Sequence, residues 1–306
     1  MNAVPDKAVI QEVALELGLD PAFVEKDWYV VQLIREISSS KLLGAQTIFA
    51  GGTALSKAHR LLQRFSEDID FRLSLPPDAL ASRSRQRNLL SAIRDRLYQL
   101  ITARFSPGAV KWKSRDENKY FAFEIEYPTA MGYSNALRPH LQIEFTVAPL
   151  FLPSLLRPVA SFIAELTKSG PEVPEIACID PVENAADKLS ALIWRVPDRV
   201  RLPEDDDPDL ARHIHDLAAL QPYAIVHAAF RRLAIATIKQ DDDRCERIKG
   251  TPLNKKIQLL FEILTTDANY RMEYTRFVHG MSYAASGVPP YDEAISKLKT
   301  LTDHLL

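Results

Sequence analysis

The sequence predicts an α/β (α+β) protein, a mixed sheet with packed helices followed by a mainly helical C-terminal domain. Three observations carry this prediction. Residues 67–75 and 140–147 alternate apolar and polar side chains with the period of two that a half-buried strand requires. Segments with apolar residues at helical spacing precede and separate these runs, so helices and strands interleave. From about Pro149 the texture changes: Pro153, Pro158, Pro171 and Pro174 punctuate connectors that lead into mostly helical segments.

Taken in order, residues 5–38 predict two helices broken at Asp20-Pro21, the second reading AFVEKDWYVVQLIREI. An apolar run at 47–50 predicts a strand, and Gly51-Gly52-Thr53 turns it into a helix-length segment. The strand at 67–75 follows and is stopped by Pro76-Pro77-Asp78. A long Arg-rich amphipathic helix runs to about residue 105, and strands are expected at 109–113 and 120–127. A turn-rich piece around Met131-Gly132 and Ser134-Asn135 precedes the strand at 140–147. There Leu141, Ile143, Phe145 and Val147 share one face, and His140, Gln142, Glu144 and Thr146 the other. Helices are expected near 182–200, 209–235, 253–266, 268–284 and 291–305. The change in texture places a domain boundary within 149–180, giving domains 1–150 and 151–306.

The chain has 306 residues, 46% hydrophobic and 25% charged, enough for a substantial core. No apolar run approaches the roughly 20 residues of a membrane span, and the N-terminal residues do not read as a secretory signal. Cys178 and Cys245 match no metal-ligand spacing and read as free thiols of a reducing compartment, so a cytoplasmic protein is expected. A net charge of −2 exerts no global pull on nucleic acid. A polyanion would need local patches, and two are present: Arg83, Arg85, Arg87, Arg94 and Arg96 on one helix, and Lys111, Lys113, Arg115 and Lys119 around a strand. Each reads equally well as a solvated surface.

The stretch FAGGTALSKAHRLLQRFSEDIDF at 49–71 holds the chemistry. On the strand, Asp68 and Asp70 project together while Ile69, Phe71 and Leu73 go to the core. Two adjacent carboxylates favour a cation between them, and a divalent metal with oxygen ligands is the natural one. Upstream, a Gly-Gly turn opening a helix offers backbone N–H groups that suit phosphate. Together these features point to metal-dependent phosphoryl or nucleotidyl transfer. The plain alternative is an ordinary strand–turn–helix–strand unit with solvated acids at its edge.

Gly-Gly, a spacer of fifteen residues and Asp-x-Asp on the next strand resemble the signature of the polymerase-beta-type nucleotidyltransferase superfamily. GGTALSK followed by RFSEDIDF resembles the AbiEii/MenT group, the nucleotidyltransferase toxins of type IV toxin–antitoxin systems. The resemblance implies a nucleotidyltransferase-like sheet and transfer of a nucleoside monophosphate from an NTP with Mg2+ or Mn2+. It also implies the tRNA 3′ end as acceptor and a cognate antitoxin as partner. Protein AMP transfer and a non-catalytic nucleotide- or RNA-binding module are the alternatives.

On this basis Asp68 and Asp70 are the expected metal ligands, and Glu144, in the context Ile143-Glu144-Phe145, is the expected third carboxylate. Its alternative is an exposed acid on a half-solvated strand. Gly51, Gly52, Thr53, Ser56, Lys57 and Ser66 are the expected nucleotide contacts, with Thr53 as helix cap and Lys57 and Arg64 as positive charge near phosphates. ADKLSALIWR and RHIHDL resemble two later family motifs, which adds Lys188 and Asp216 to the catalytic set and Arg195 to the nucleotide contacts. His213 stands where the family tends to have Asp. Arg212 and Asp216 also have the spacing of a simple helix ion pair. His215-Asp216 on its own resembles an HD phosphohydrolase pair, yet the further ligands such a site needs have no counterpart at suitable spacing. Glu25-Lys26-Asp27 is a further family-like feature, read either as nucleotide contact or as local pairing.

Overall fold

The computed structural model of the chain describes residues 3–202, 206–207, 210–284 and 287–306. They divide into two compact units, Met1–Arg60 with Phe65–Ile179, and Leu61–Arg64 with Asp180–Leu306.

The first unit begins with helices α1 (Lys7–Leu17) and α2 (Pro21–Ser38). Gly18 ends α1 in a left-handed conformation (φ 63°), and Asp20 caps α2 by accepting from Ala22 N at 2.9 Å, with Pro21 at the first helical position. Strand β1 (Gln46–Ala50) runs into a short helix α3 (Gly51–Thr53) that widens to a π-type turn (Ala54–Ala58). Then come β2 (Asp68–Ser74), α4 (Arg83–Thr102), β3 (Val110–Arg115), β4 (Tyr120–Ile125), β5 (Leu141–Val147), β6 (Leu155–Val159), α5 (Phe162–Thr167) and β7 (Val173–Cys178). The seven strands form one mixed sheet in the order β3-β4-β5-β2-β1-β7-β6. Strand β2 is antiparallel to β1 and parallel to β5, which places it at the centre.

One face of this sheet is the core. Ile69, Phe71, Phe121, Phe123, Ile143 and Phe145 pack there with Tyr29, Val30 and Leu33 of α2 and Leu90, Ile93, Leu97 and Ile101 of α4. Rings of Phe49, Phe71, Phe145 and Phe121 follow one another across four strands, with centroids 5.7, 5.4 and 5.0 Å apart. Aromatic pairs of this kind contribute about 0.5–1.5 kcal/mol each beyond burial, and a slip of one residue would expel every ring. The ladder therefore fixes the register in which the polar face is presented.

Two features of the first unit differ from the sequence expectation. The helix after Gly51 ends by Ala58, because Arg60 takes a left-handed conformation (φ 56°) and turns the chain out. Residues 151–179 supply two strands, so the first unit extends to Ile179 and the sheet gains an edge. Pro158 and Pro174 hid these strands; β6, which carries Pro158, is the edge strand where a missing N–H is tolerated.

The second unit is helical: α6 (Pro181–Asp198), α7 (Leu210–Val226), α8 (Phe230–Gln240), α9 (Leu253–Thr266), α10 (Ala268–Met281) and α11 (Tyr291–Asp303). Helix α6 packs on α7, α8 and α9, and α7 also packs on α10 and α11. The helix expected over 209–235 is two helices, separated where Ala229 N donates to His227 Nδ1 at 3.2 Å. Of the acidic run at 204–209, Glu204, Asp205, Pro208 and Asp209 lie outside the described residues. Asp206 pairs with Arg199 at 2.7 Å, and Asp207 with Arg195. Among the described residues no helix is long and apolar enough to cross a membrane.

Candidate active site

The register of the central strands brings the polar residues of the first unit together. Asp70 is the cross-strand partner of Glu144 on β5 and of Ala50 on β1, and Asp68 is the partner of Gln142. Cross-strand partners share a face, so Asp68, Asp70, Gln142 and Glu144 lie opposite the aromatic core. Gln142 Nε2 donates to Glu144 Oε1 at 2.5 Å, and the Tyr120 hydroxyl is also hydrogen-bonded to Glu144. Burial first and the Glu144 charge second push the Tyr120 hydroxyl up to about 12, so it donates across the working pH range.

Gly51 is what lets Asp70 occupy its place. Its φ is +71°, and a Cβ built there would overlap Asp70 Oδ2 and lie 2.7 Å from Asp70 Cγ. The glycine thus serves both a left-handed backbone and direct contact with a carboxylate. Gly52 and Ser56 are buried in the turns that follow. Thr53 is fully buried, inside α3 and not at its cap. Its hydroxyl lies 2.9 Å from Ser66 Oγ and donates to the Asp68 carbonyl. Thr53 therefore clamps the turn to the start of β2, a positioning contact in place of the expected cap.

Behind the carboxylates lies a charge network that starts on α2. Glu25, Lys26 and Asp27 are consecutive and at most 2% exposed. Successive helical residues point about 100° apart, so each reaches a different element. Glu25 accepts from Ala130 N (2.7 Å) and Thr129 Oγ1 (2.5 Å), fixing the loop before β5. Lys26 Nζ donates to Glu67 Oε2 (2.5 Å) and to the Arg138 carbonyl (2.7 Å). Burial lowers the Lys26 pKa, and Glu67 acts against that shift. Asp27 pairs with Lys57 Nζ at 2.6 Å and accepts from Phe162 N at 2.7 Å. Lys57 also lies 3.5 Å from the Phe162 ring centroid. Its charge is thus balanced inside the fold by the Asp27 carboxylate.

Arg138 was not anticipated. Its guanidinium bonds to Asp68 Oδ1 and, at 3.1 Å, to Gln142 Oε1, and its N–H donates to Glu67 at 3.0 Å. Extending the β5 alternation backwards through His140 would have placed it on the carboxylate face, but Pro139 reads as a break. Among the described residues no three His, Cys, Asp or Glu side chains converge as a ready-made metal cage. Asp68 and Asp70 still offer two carboxylates on one strand face, a donor set that suits Mg2+ completed by phosphate oxygens and water.

In the second unit the motif residues of α6 and α7 meet each other. Lys188 Nζ is 2.9 Å from Asp216 Oδ2, and Arg64 clasps the same carboxylate with Nε and Nη2, both at 2.7 Å. Asp216 is fully buried; Lys188 and Arg64 are 7% and 3% exposed. Burial would raise the Asp216 pKa, yet Arg64 and Lys188 outweigh it and hold the carboxyl well below its usual range. His215 Nδ1 lies 3.2 Å from Asp216 Oδ1, so this His-Asp pair belongs to the same ionic cluster. Burial followed by the charges of Lys188 and Arg212 keeps His213 neutral, its pKa well below the ordinary value. Arg195 is engaged by Asp207 and lies 3.4 Å from His213 Nε2.

With this geometry in hand, three comparisons bear on the chain. Residues 32–297 match the family described as nucleotidyl transferase AbiEii toxin, type IV toxin–antitoxin system. No curated protein sequence matches the chain. Among solved structures, MenT4, a nucleotidyltransferase toxin from Mycobacterium tuberculosis, superposes with a TM-score of 0.50 at 19% identity, covering 97% of this chain and 99% of that one. At that identity the likeness speaks for the fold, while the family match spans most of the sequence. The chain belongs to the AbiEii nucleotidyltransferase toxins of type IV toxin–antitoxin systems.

Proposed function

We propose that this nucleotidyltransferase moves a nucleoside monophosphate from an NTP to a hydroxyl at the 3′ end of an RNA, tRNA in the first place, in a Mg2+-dependent reaction. The toxin would be held in check by a cognate antitoxin. The observation that carries the reading is Asp70 seated against Gly51 and in register with Glu144, with Asp68 on the same face. Asp68 and Asp70 would hold the metal, which supplies neutralisation of triphosphate charge and acidification of the attacking hydroxyl. Glu144, beside Gln142 and Tyr120, would accept the proton of that hydroxyl. Gly51 and Gly52 give the triphosphate a backbone without side-chain obstruction, and Ser66, tied to Thr53, borders Asp68. Arg138 contributes positive charge beside Asp68. Within the second unit, Asp216 and Arg64 hold the ammonium of Lys188, the residue to which the family resemblance gives a phosphate contact.

The test is incubation with each labelled NTP, Mg2+, total RNA and total protein. Label on RNA in the tRNA size range supports the proposal. Label on protein would move the acceptor to a protein hydroxyl, and absence of label with every NTP would leave a binding module.

A further inference from the structure

The strand register also indicates how the acceptor approaches, an inference that rests on the RNA reading above. Three rows cross the sheet on the carboxylate face. Asp68 is followed by Gln142, Glu124 and Lys111; Asp70 by Glu144, Ala122 and Lys113; Arg72 by Thr146, Tyr120 and Arg115. Every second residue of edge strand β3 therefore adds a cation to the same face as the catalytic candidates. Neighbouring strands are about 4.8 Å apart, so three steps put this basic edge roughly 14 Å from Asp68 and Asp70. A few nucleotides of extended single strand cover that distance.

The side chains are disposed for such a ligand. Lys111 and Lys113 are 75% and 55% exposed, and their pairs with Glu126 (3.9 Å) and Glu124 (3.3 Å) are loose surface contacts that a phosphate can replace. The Arg115 guanidinium lies 4.3 Å from the Tyr120 ring centroid, and the Tyr120 hydroxyl bonds to Glu144. This Arg–Tyr stack is a step between the basic edge and the catalytic carboxylates, of the aromatic kind that single-stranded nucleic acid uses. The other basic group lies elsewhere. Arg83, Arg85 and Arg87 belong to α4, whose apolar residues pack on the opposite face of the sheet, and Arg83 is held by Glu117 through two bonds of 2.9 and 2.7 Å.

We propose that the 3′ single strand of the RNA acceptor lies across β3, β4 and β5, its phosphates on Lys111, Lys113 and Arg115, its terminal ribose directed to Glu144 and Asp70. The arginines of α4 take no part. The test compares Lys111→Ala/Lys113→Ala/Arg115→Ala with Arg85→Ala/Arg87→Ala in the full chain. Both should fold and bind a non-hydrolysable NTP as the wild type does. For the β3 variant the KM for RNA should rise by about tenfold or more, and the slope of log affinity against log salt should fall by about two, roughly 0.7 for each lost phosphate contact. The α4 variant should change neither. An unchanged KM and salt slope in the β3 variant, with the wild type still labelling RNA, would overturn this path and leave the RNA reading intact. Loss of affinity in the α4 variant would place the strand on the other face. Wild-type label on protein alone would remove the RNA reading and this path with it.

Discussion

Substitution of Gly51 by alanine separates two effects that active-site glycines usually confound. The added methyl would overlap Asp70 Oδ2 and lie 2.7 and 2.9 Å from Asp70 Cγ and Cβ. Carbon atoms settle at about 3.5–4.0 Å, so the carboxylate must retreat by about 1 Å or more. A displacement of that size at a reacting centre costs on the order of 10²-fold in rate. The φ of +71° adds backbone strain of about 1–2 kcal/mol for any residue with a Cβ. Gly170→Ala is the control: its φ is +85°, with no atom within 4 Å of the added Cβ, so it pays the strain without the collision. Gly170→Ala should lose only the stability that backbone strain costs in urea unfolding, Gly51→Ala should lose at least as much, and Gly51→Ala alone should lose about 10²-fold or more in initial rate of labelled NTP transfer. Equal rates for the two variants would refute the claim that Gly51 exists to seat Asp70.

Replacing Asp68 or Asp70 by Asn should reduce transfer to background with little change in thermal unfolding, since both side chains are only partly buried on the polar face of the central strand β2; turnover near wild type in Mg2+ would refute their role. Asp216→Asn should cost about 3–5 kcal/mol, because Arg64 and Lys188 would remain buried without their counterion. Its depressed folded-state pKa means that this stabilisation is complete above the unfolded value near 3.9 and is lost as pH falls through the folded value. Acid unfolding monitored below about pH 4 should therefore be steeper in the wild type than in Asp216→Asn. Asp27→Asn should destabilise by leaving the Lys57 ammonium without its partner, and Asp27→Asn/Lys57→Met should recover part of the loss; a double variant weaker than either single would contradict a mutual pairing.

The sheet centre was legible because its signals are local. Period-two alternation at 67–75 and 140–147 identified β2 and β5, and parity alone put Asp68, Asp70 and Glu144 on polar faces. That the two strands are neighbours, with Asp70 opposite Glu144, is a pairing between residues far apart in sequence, and periodicity does not encode it. The strands β6 and β7 escaped notice because their prolines mimic connector composition; Pro158 lies on the edge strand β6, where proline costs no ladder bond. The arginine patch of α4 and the lysines of β3 looked equivalent as charge clusters. Register places the β3 cations on the carboxylate face, and the packing of the apolar residues of α4 in the core puts its arginines on the other side of the sheet.

The buried triplet Glu25-Lys26-Asp27 shows why some site residues resist sequence reading. Three ionisable side chains in an otherwise apolar helix read as local pairing or ligand contact, yet each one closes a bond to a segment remote in the chain. Their effect on the site is exerted through main-chain and carboxylate partners. Lys26 binds the carbonyl of Arg138 and the carboxylate of Glu67, Glu67 in turn accepts the Arg138 N–H, and the Arg138 guanidinium reaches Asp68. Such a chain of charge-assisted bonds, partly screened from water, ties the start of β2 to α2. The cost of burying α2's charges is therefore tied to the position of Asp68, a link that becomes visible once the fold has brought three separate segments together.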